Sequence, residues 1–129
     1  MKFDGVKDSG VRQAFDTGSV RDSRGGKGRY DLIPPTALRR LAQHYENGSR
    51  KYGDRNWETG QPLSRYLDSA LRHINEWREG WRDEDHLTAA VWNLVCLIHT
   101  EEMVERGRLP KDLADCPTYL EGDVNDIQS

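Results

Sequence analysis

The sequence predicts an all-α fold, because three of its segments carry apolar residues with helical periodicity. In each segment the apolar residues recur every three or four positions, as they do on a helix that buries one face. The alternation of apolar and polar residues that indicates a half-buried strand is absent from the sequence, except for a few residues around 30–33. With 129 residues, of which 35% are hydrophobic, the chain is predicted to form one small helical domain.

The first predicted helix begins at Pro34-Pro35, because a helix tolerates proline in its first turn, and it ends near Asn47-Gly48. The next segment, residues 51–60, mixes aromatic residues, charges and glycines without a clear period. It is therefore predicted to be a loop or a short helical turn.

The second and third predicted helices show the clearest patterns. The second runs from about Pro62 to Gly80, and one stripe of it carries Leu63, Leu67, Ala70, Leu71 and Ile74. The third begins at the acidic cluster 83–85, because negative charge stabilises a helix N-terminus, and it ends at Gly107. Its apolar residues at near-heptad spacing are Leu87, Val91, Leu94 and Ile98. Three short helices bury little surface, so a homo-oligomer is expected to complete the bundle.

Charge and composition divide the chain into three predicted regions. Residues 1–29 form an irregular Gly-rich arm that is basic, with seven Lys or Arg against four Asp. Residues 30–109 form the helical domain, and residues 110–129 form a loosely attached acidic tail. The net charge of −3 argues against a nucleic-acid polymer as partner.

No apolar run reaches the length of a membrane span, and no secretory signal is recognisable at the N-terminus. A cytoplasmic protein without a membrane partner is therefore expected. Cys96 and Cys116 have neither metal-binding nor disulfide spacing, so both are predicted to be free thiols.

A polar face on the second and third helices is the first candidate site. His73 and Glu76 share a helix face, with Asp68 one turn earlier. The third helix carries His86 and Asn93 on one face, and the acids beside its start are Asp83, Glu84 and Asp85. Two such helices facing each other would gather imidazoles, an amide and carboxylates in one cleft.

A plainer interpretation of the same residues stays open. Asp68 and Arg72 would form a surface ion pair, Glu76 would be solvated, and Asn93 would only bond Arg72 or His73. The mixed donor set does not choose a metal, since carboxylates and waters suit Mg²⁺ or Mn²⁺ and histidines suit Zn²⁺ or other transition metals. The other two histidines, His44 and His99, have no comparable companions and are predicted to be structural or surface residues.

Two basic segments are candidate phosphate or nucleotide sites. In the Gly-rich segment 18–31, glycines permit close approach to a ligand, and the cations that would neutralise phosphates are Arg21, Arg24, Lys27 and Arg29. The alternative is a flexible basic arm. In the segment 50–57, the cations Arg50, Lys51 and Arg55 alternate with the aromatic residues Tyr52 and Trp57. Aromatic rings would stack on a base while cations meet phosphates, so residues 51–57 could hold a nucleotide. Core packing by the two aromatic residues is the competing explanation.

A family resemblance rests on several motifs in order over about residues 15–103. They are Gly26-Lys-Gly-Arg-Tyr-Asp-Leu-Ile-Pro-Pro35, Lys51-Tyr-Gly-Asp-Arg-Asn-Trp57, Arg72-His73, Asp83-Glu-Asp-His86 and Trp92-Asn93. This succession resembles the phage-associated dATP/dGTP diphosphohydrolase N-terminal domain family, which is distantly similar to MazG-like all-α nucleoside triphosphate pyrophosphohydrolases. The resemblance implies a MazG-like helical homo-oligomer, a dimer or tetramer, in the host cytoplasm. With Mg²⁺ or Mn²⁺ it would cut a deoxynucleoside triphosphate, purine favoured, to the monophosphate and pyrophosphate.

The resemblance also implies roles for individual residues, with one departure. MazG-like enzymes hold metal through two carboxylate pairs, which here would fall on His73 and Glu76 and on Ala90 and Asn93, so one carboxylate matches. The residues expected to act in catalysis are Glu76, His73 and His86. Those expected to hold metal are Glu76, Asp68, Asp83, Glu84 and Asp85. Those expected to bind the nucleotide are Arg21, Lys27, Arg29, Lys51, Tyr52, Asn56, Trp57, Arg72 and Asn93.

Two other functions stay open at this point. One is a non-catalytic protein that sequesters a nucleotide, or a nucleotide immune signal of the host, in the same basic and aromatic cleft. The other is a helical adaptor that binds a protein partner through the acidic tail and an exposed helix face.

Overall fold

The computed structural model describes residues 2–3 and 5–120, and it confirms the all-α fold class. The chain divides into two compact units between Ile33 and Pro34. All three long helices belong to the second unit, and the first contains a small two-stranded sheet.

The N-terminal unit contains a β-hairpin that the sequence did not indicate. Strand β1 (Arg12–Ala14) pairs antiparallel with β2 (Val20–Asp22). Nearly every side chain of both strands is exposed, so neither strand has the alternating pattern by which strands are recognised. The expected strand-like residues around 30–33 instead form a 3₁₀ turn, Tyr30–Leu32. The arm is thus less irregular than predicted.

The helical unit contains α1 (Pro35–Tyr52), α2 (Leu63–Glu79) and α3 (His86–Glu105). The predicted limits of α2 and α3 are confirmed, but α1 continues past its expected end at Asn47-Gly48. Gly48 lies within the helix, where a glycine costs only about 1 kcal/mol. The helix ends at Gly53, whose φ of 94° breaks the helical conformation. A short 3₁₀ turn, Asn56–Thr59, follows and confirms the expected helical turn.

Helix α3 is central, since both α1 and α2 pack against it. The apolar core lies along the contact of α2 with α3, and its buried members are Leu63, Tyr66, Ala70, Ala89, Ala90 and Cys96. Nearly as many polar side chains are buried there, namely His73, His86, Thr88, Asn93 and Thr100. The seam between α2 and α3 therefore carries a polar layer inside the fold.

The first residues of the predicted acidic tail are attached to the helical unit. A 3₁₀ turn, Lys111–Leu113, packs near α3, and the carboxylate of Asp115 accepts hydrogen bonds from the backbone N–H (2.9 Å) and the hydroxyl of Ser64. Pro62, at the N-cap of α2, has no side-chain acceptor, so Asp115 supplies this cap from elsewhere in the chain. This part of the tail is therefore not loosely attached, and residues 121–129 lie outside the described residues.

Both cysteines are free, as predicted, with Cys96 buried and Cys116 partly buried. Burial raises the pKa of the Cys96 thiol to about 11. Over the part of the chain that the structure describes, no helix is long and apolar enough to cross a membrane.

We expect Asp115→Ala to lower the midpoint of thermal unfolding, because the first turn of α2 loses an acceptor for its N–H group. The hydrogen bonds from Ser64 hold the pKa of Asp115 below its usual value. A carboxylate with a depressed pKa stabilises the fold only while ionised, so the difference from wild type should shrink as the pH falls through the carboxylate range. Far-UV circular dichroism at several pH values measures it.

Asp112→Ala is the matched control, since Asp112 is an exposed acid in the neighbouring 3₁₀ turn. An equal loss in both variants, or a difference that persists in acid, would contradict the capping role of Asp115.

Candidate functional site

A cleft of about 750 Å³ opens on one side of the helical unit, within the usual size range of small-molecule sites. We call it the helical cleft. The second half of α1, the segment 53–61, and the seam of α2 and α3 form its walls. Its lining side chains and glycines are His44, Tyr45, Asn47, Gly48, Ser49, Lys51, Tyr52, Gly53, Asp54, Asn56, Trp57, Gln61, Ser69, Arg72, His73, Glu84, Asp85, Trp92 and Asn93.

Aromatic side chains form one wall of the helical cleft. Trp57 meets Tyr45 edge to face, with ring centroids 6.0 Å apart, and meets His99 in the same way at 5.0 Å. Trp92 lies 5.6 Å from the ring of His44. Trp57 is partly buried in this cluster and also lines the cleft, so the two interpretations of this residue are compatible. Tyr52 is 62% exposed at the cleft edge.

Basic side chains lie on the helices that flank the aromatic wall. Lys51, at the end of α1, carries its Nζ 5.2 Å from the centroid of the Tyr52 ring. Arg72, on α2, donates to the carboxylate of Glu76 at 3.1 Å. The expected surface pair of Arg72 with Asp68 is therefore replaced by a pair one turn later.

The acid–imidazole cluster, His73, Glu76 and His86, lies at the end of the helical cleft where His73 reaches it. The two Nδ1 atoms are 3.0 Å apart, and His86 Nδ1 lies 3.1 Å from Glu76 Oε2. The third separation, from His73 Nδ1 to Glu76 Oε2, is 4.0 Å. The three residues expected to act in catalysis are thus brought together from two helices.

Local sequence explains how the acid–imidazole cluster forms. His73 and Glu76 are three residues apart on α2 and so share a face. Gly80 ends α2 in the left-handed conformation, with φ of 98°, and the six residues 80–85 turn the chain back. His86 then opens α3 opposite His73.

Electrostatics in the acid–imidazole cluster follow from burial and neighbours. Burial, reinforced by the charge of Arg72, lowers the pKa of His73. The Nε2 atom of His86 lies 2.7 Å from Asp83 Oδ1, and this hydrogen bond lowers the pKa of Asp83. His86 is buried, with 2% of its surface exposed, so its ring is held from both sides.

The carboxylates expected to hold metal do not converge. Asp83 is bonded to His86, and the nearest oxygen of Glu84 is 3.8 Å from His73 Nδ1. Asp85 accepts two hydrogen bonds from Arg40, at 2.6 and 2.9 Å, and one from the N–H of Thr88, which together hold its pKa well below the usual range.

Asp68 is exposed on α2 and lies outside the acid–imidazole cluster. Within the described residues, this cluster is the one set of three side chains whose ligand atoms come close together. Of the five acids in the predicted metal set, Glu76 alone belongs to it. The donor set therefore does not fit Mg²⁺ held by several carboxylates.

Asn93 is buried in the cleft wall, as its position in α3 suggested. Its Nδ2 donates to the carbonyl of Ala89, 2.8 Å away on the same helix, and not to Arg72 or His73. The amide therefore has a local partner that satisfies part of its hydrogen bonding.

Three predicted nucleotide-binding cations belong to the N-terminal unit. Lys27 bonds Asp22 at 3.0 Å, and Arg29 bonds Asp31 at 2.8 Å. Arg21 lines a smaller concavity of that unit together with Arg24. A phosphate-binding role for these cations stays a prediction.

Sequence reasoning missed several residues of the helical cleft, including His44, Asn47 and Ser49. The sequence feature that could have identified them is their helical spacing relative to Lys51 and Tyr52, which places them on the same side of α1. That spacing was hidden because the helix was expected to end at residues 47–48.

A helical unit with a ligand-sized cleft beside a cluster of titratable side chains is typical of proteins with a small-molecule site. The chain belongs to the family described as dATP/dGTP diphosphohydrolase, N-terminal, whose model matches residues 17–108. This match confirms the resemblance, and the family description is that of a hydrolase acting on purine deoxynucleotides. No curated protein and no solved structure matches the chain.

Proposed function

We propose that this chain is a nucleotide pyrophosphohydrolase that binds a purine (deoxy)nucleoside triphosphate in the helical cleft and cleaves it to the monophosphate and pyrophosphate. The observation that carries the proposal is that six of the nine predicted nucleotide-binding residues line one cleft next to His73: Lys51, Tyr52, Asn56, Trp57, Arg72 and Asn93. Membership of the family supports the same reaction class. A cytoplasmic location, in the host for a phage-encoded chain, is part of the proposal because the substrates are found there.

The lining of the helical cleft offers contacts for both parts of a nucleotide, the base and the phosphates. Trp57 and Tyr52 offer aromatic surface on which a base can stack. Lys51 and Arg72 offer positive charge for phosphate oxygens. Because Arg72 lies next to the acid–imidazole cluster, a phosphate bound by it would be near the groups that move protons.

Cleavage requires water to attack the α-phosphorus while the bond to the bridging oxygen breaks and pyrophosphate leaves. When no ion occupies the acid–imidazole cluster, Glu76 and His73 are the candidates to accept the proton of that water. Lys51 and Arg72 would stabilise the negative charge that is redistributed over the phosphates in the transition state. The resemblance implies Mg²⁺ or Mn²⁺, and a divalent ion stays part of the proposal, since it would supply positive charge to the phosphates. The acid–imidazole cluster has one carboxylate and so does not fit Mg²⁺ held by several carboxylates.

A second candidate, sequestration of an intact nucleotide, is favoured by one specific observation. The positions where a second carboxylate pair would lie carry Ala90 and Asn93, both buried, and Asn93 is bonded to its own helix. A cleft that has lost part of its catalytic groups would still bind the ligand.

We expect purified protein, incubated with nucleoside and deoxynucleoside triphosphates and a divalent ion, to release monophosphate and pyrophosphate. Glu76→Gln should reduce turnover by about 10²–10⁴-fold, the usual effect of losing a general base. Chromatography of the released products and of the nucleotide retained by the protein distinguishes cleavage from sequestration. Intact nucleotide recovered only after denaturation would contradict turnover and select sequestration.

We expect Lys51→Ala to weaken nucleotide binding about tenfold, because a hydrogen bond between charged groups is lost. Arg50→Ala is the matched control, since Arg50 is the adjacent cation, lies outside the cleft lining and pairs with Glu46. Titration calorimetry measures the dissociation constants. Equal weakening by both variants would indicate a general charge effect and would contradict binding in the helical cleft.

We also propose that the chain forms a homo-oligomer, a dimer or tetramer, through exposed apolar stripes of α2 and α3. Because the two helices run antiparallel, both stripes lie on the same side of the pair. Their seven residues are 37–67% exposed: Leu67, Leu71, Ile74, Leu87, Val91, Leu94 and Ile98. Several large apolar side chains exposed on one side of a helix pair are typical of an interaction surface.

We expect wild-type protein to sediment as an oligomer and Leu71→Glu to shift it toward the monomer, because the new charge would be buried without a partner. Arg65→Glu, an exposed position on the opposite side of α2, introduces the same residue and should leave the mass unchanged. Sedimentation velocity measures the mass. A wild-type protein that sediments as a monomer would contradict the proposal.

A further inference from the structure

We propose that the acid–imidazole cluster of His73, Glu76 and His86 is a binding site for a first-row transition-metal ion. The cluster is the one group of three potential ligands that converges within the described residues. Only the role of the ion in nucleotide cleavage rests on the proposed function. The metal site itself is inferred from the geometry of the three side chains.

The spacing of the three ligand atoms suits one ion. The separations are 3.0 Å between the two Nδ1 atoms, and 3.1 Å and 4.0 Å from these atoms to Glu76 Oε2. These lengths define a triangle whose circumscribed circle has a radius of about 2.0 Å, so one point lies at that distance from all three atoms. Bonds from zinc to imidazole nitrogen and carboxylate oxygen are about 2.0–2.2 Å long.

The chemistry of the donors selects the class of ion. Two imidazole nitrogens and one carboxylate suit zinc, cobalt, iron or nickel, whereas Mg²⁺ prefers oxygen ligands and retains its waters. Carboxylates that would make an oxygen-rich site have other partners, because Asp83 bonds His86 and Asp85 bonds Arg40. Glu84, 3.8 Å from His73 Nδ1, is the nearest further oxygen donor.

Asp83 supplies the outer contact that metal-bound histidines usually have. Its Oδ1 lies 2.7 Å from His86 Nε2, so the ring donates its Nε2 proton outward. In the neutral ring the lone pair of Nδ1 then points into the cluster, 3.1 Å from the carboxylate of Glu76. Without a metal, His73 offers a proton to this lone pair, since its Nδ1 lies 3.0 Å from His86 Nδ1 and its Nε2 lies 3.4 Å from the Arg72 guanidinium, which can only donate. A metal ion in the cluster would take the place of that proton.

A metal-free, hydrogen-bonded imidazole pair is the alternative that the test must separate from a metal site. Full-length protein, stripped with chelator, is titrated with Co²⁺ alone, in the absence of nucleotide. Visible absorption of the bound cobalt reports the ligands, and equilibrium dialysis with Zn²⁺ and with Mg²⁺ gives the stoichiometry and affinity.

We expect one Co²⁺ or Zn²⁺ per chain, with Mg²⁺ bound at least a hundredfold more weakly. His73→Ala and Glu76→Gln should each remove the cobalt spectrum while the far-UV circular dichroism stays native. Asp83→Asn keeps all three ligands and should weaken binding by about 10–100-fold, the usual effect of an outer-contact change. His99→Gln is the matched control, because His99 packs on Trp57 outside the cluster and should leave cobalt binding unchanged.

Folded wild-type protein that binds no Co²⁺, or binding that survives both ligand variants, would overturn the proposal. Mg²⁺ bound as tightly as Zn²⁺ would overturn the choice of ion. Cobalt binding in a protein that binds no nucleotide would support the metal site and contradict the proposed function. Nucleotide binding by a protein that binds no cobalt would support the proposed function and contradict the metal site.

Discussion

Close contact between α2 and α3 is the constraint on which the candidate site depends. Ala70 on α2 and Ala89 and Ala90 on α3 are almost fully buried, and such small side chains allow two helices to approach closely. His73, in the last part of α2, therefore meets His86, in the first turn of α3. A larger side chain in the seam would separate the helices and with them the ligand atoms of the cluster. The geometry of the site thus follows from packing at positions that make no contact with a ligand.

The same seam makes the core of the helical unit unusually polar. Buried polar groups stabilise a fold only when they have hydrogen-bond partners. Asn93 and His86 have such partners. Such a core contributes less stability than an apolar core of the same size. Self-association would bury the apolar residues on the outer face of α2 and α3. That burial would add stability that the polar interior does not supply.

The helices were predictable because their periodicity is local, whereas the features that were missed depend on partners distant in sequence. Gly48 appeared to end α1, but packing against α3 offsets the cost of one glycine. The hairpin of residues 12–22 has no buried face and so no pattern to detect. In the site, i,i+3 spacing indicated the shared face of His73 and Glu76. Nothing in the sequence showed that Asp85 would pair with Arg40, 45 residues earlier, and so be lost to a metal site.

MazG-like enzymes hold metal with four carboxylates, whereas the acid–imidazole cluster has one carboxylate and two imidazoles. This difference in ligands alters the charge of the site as well as the ion that it would bind. Four carboxylates around one divalent ion would leave a net charge of about −2, which repels a triphosphate unless further ions bind. In the acid–imidazole cluster, a divalent ion with one carboxylate, Glu76, and two neutral imidazoles as ligands would carry a net charge of about +1. The nearest further acids are Asp83, bonded to His86, and Glu84, 3.8 Å from His73 Nδ1. The ion would then act in the same sense as Lys51 and Arg72, which line the adjoining cleft. The absence of carboxylates at positions 90 and 93, where the resemblance to MazG-like enzymes would place a pair, therefore does not by itself argue against phosphate chemistry, since a less acidic site attracts a phosphate chain with fewer ions.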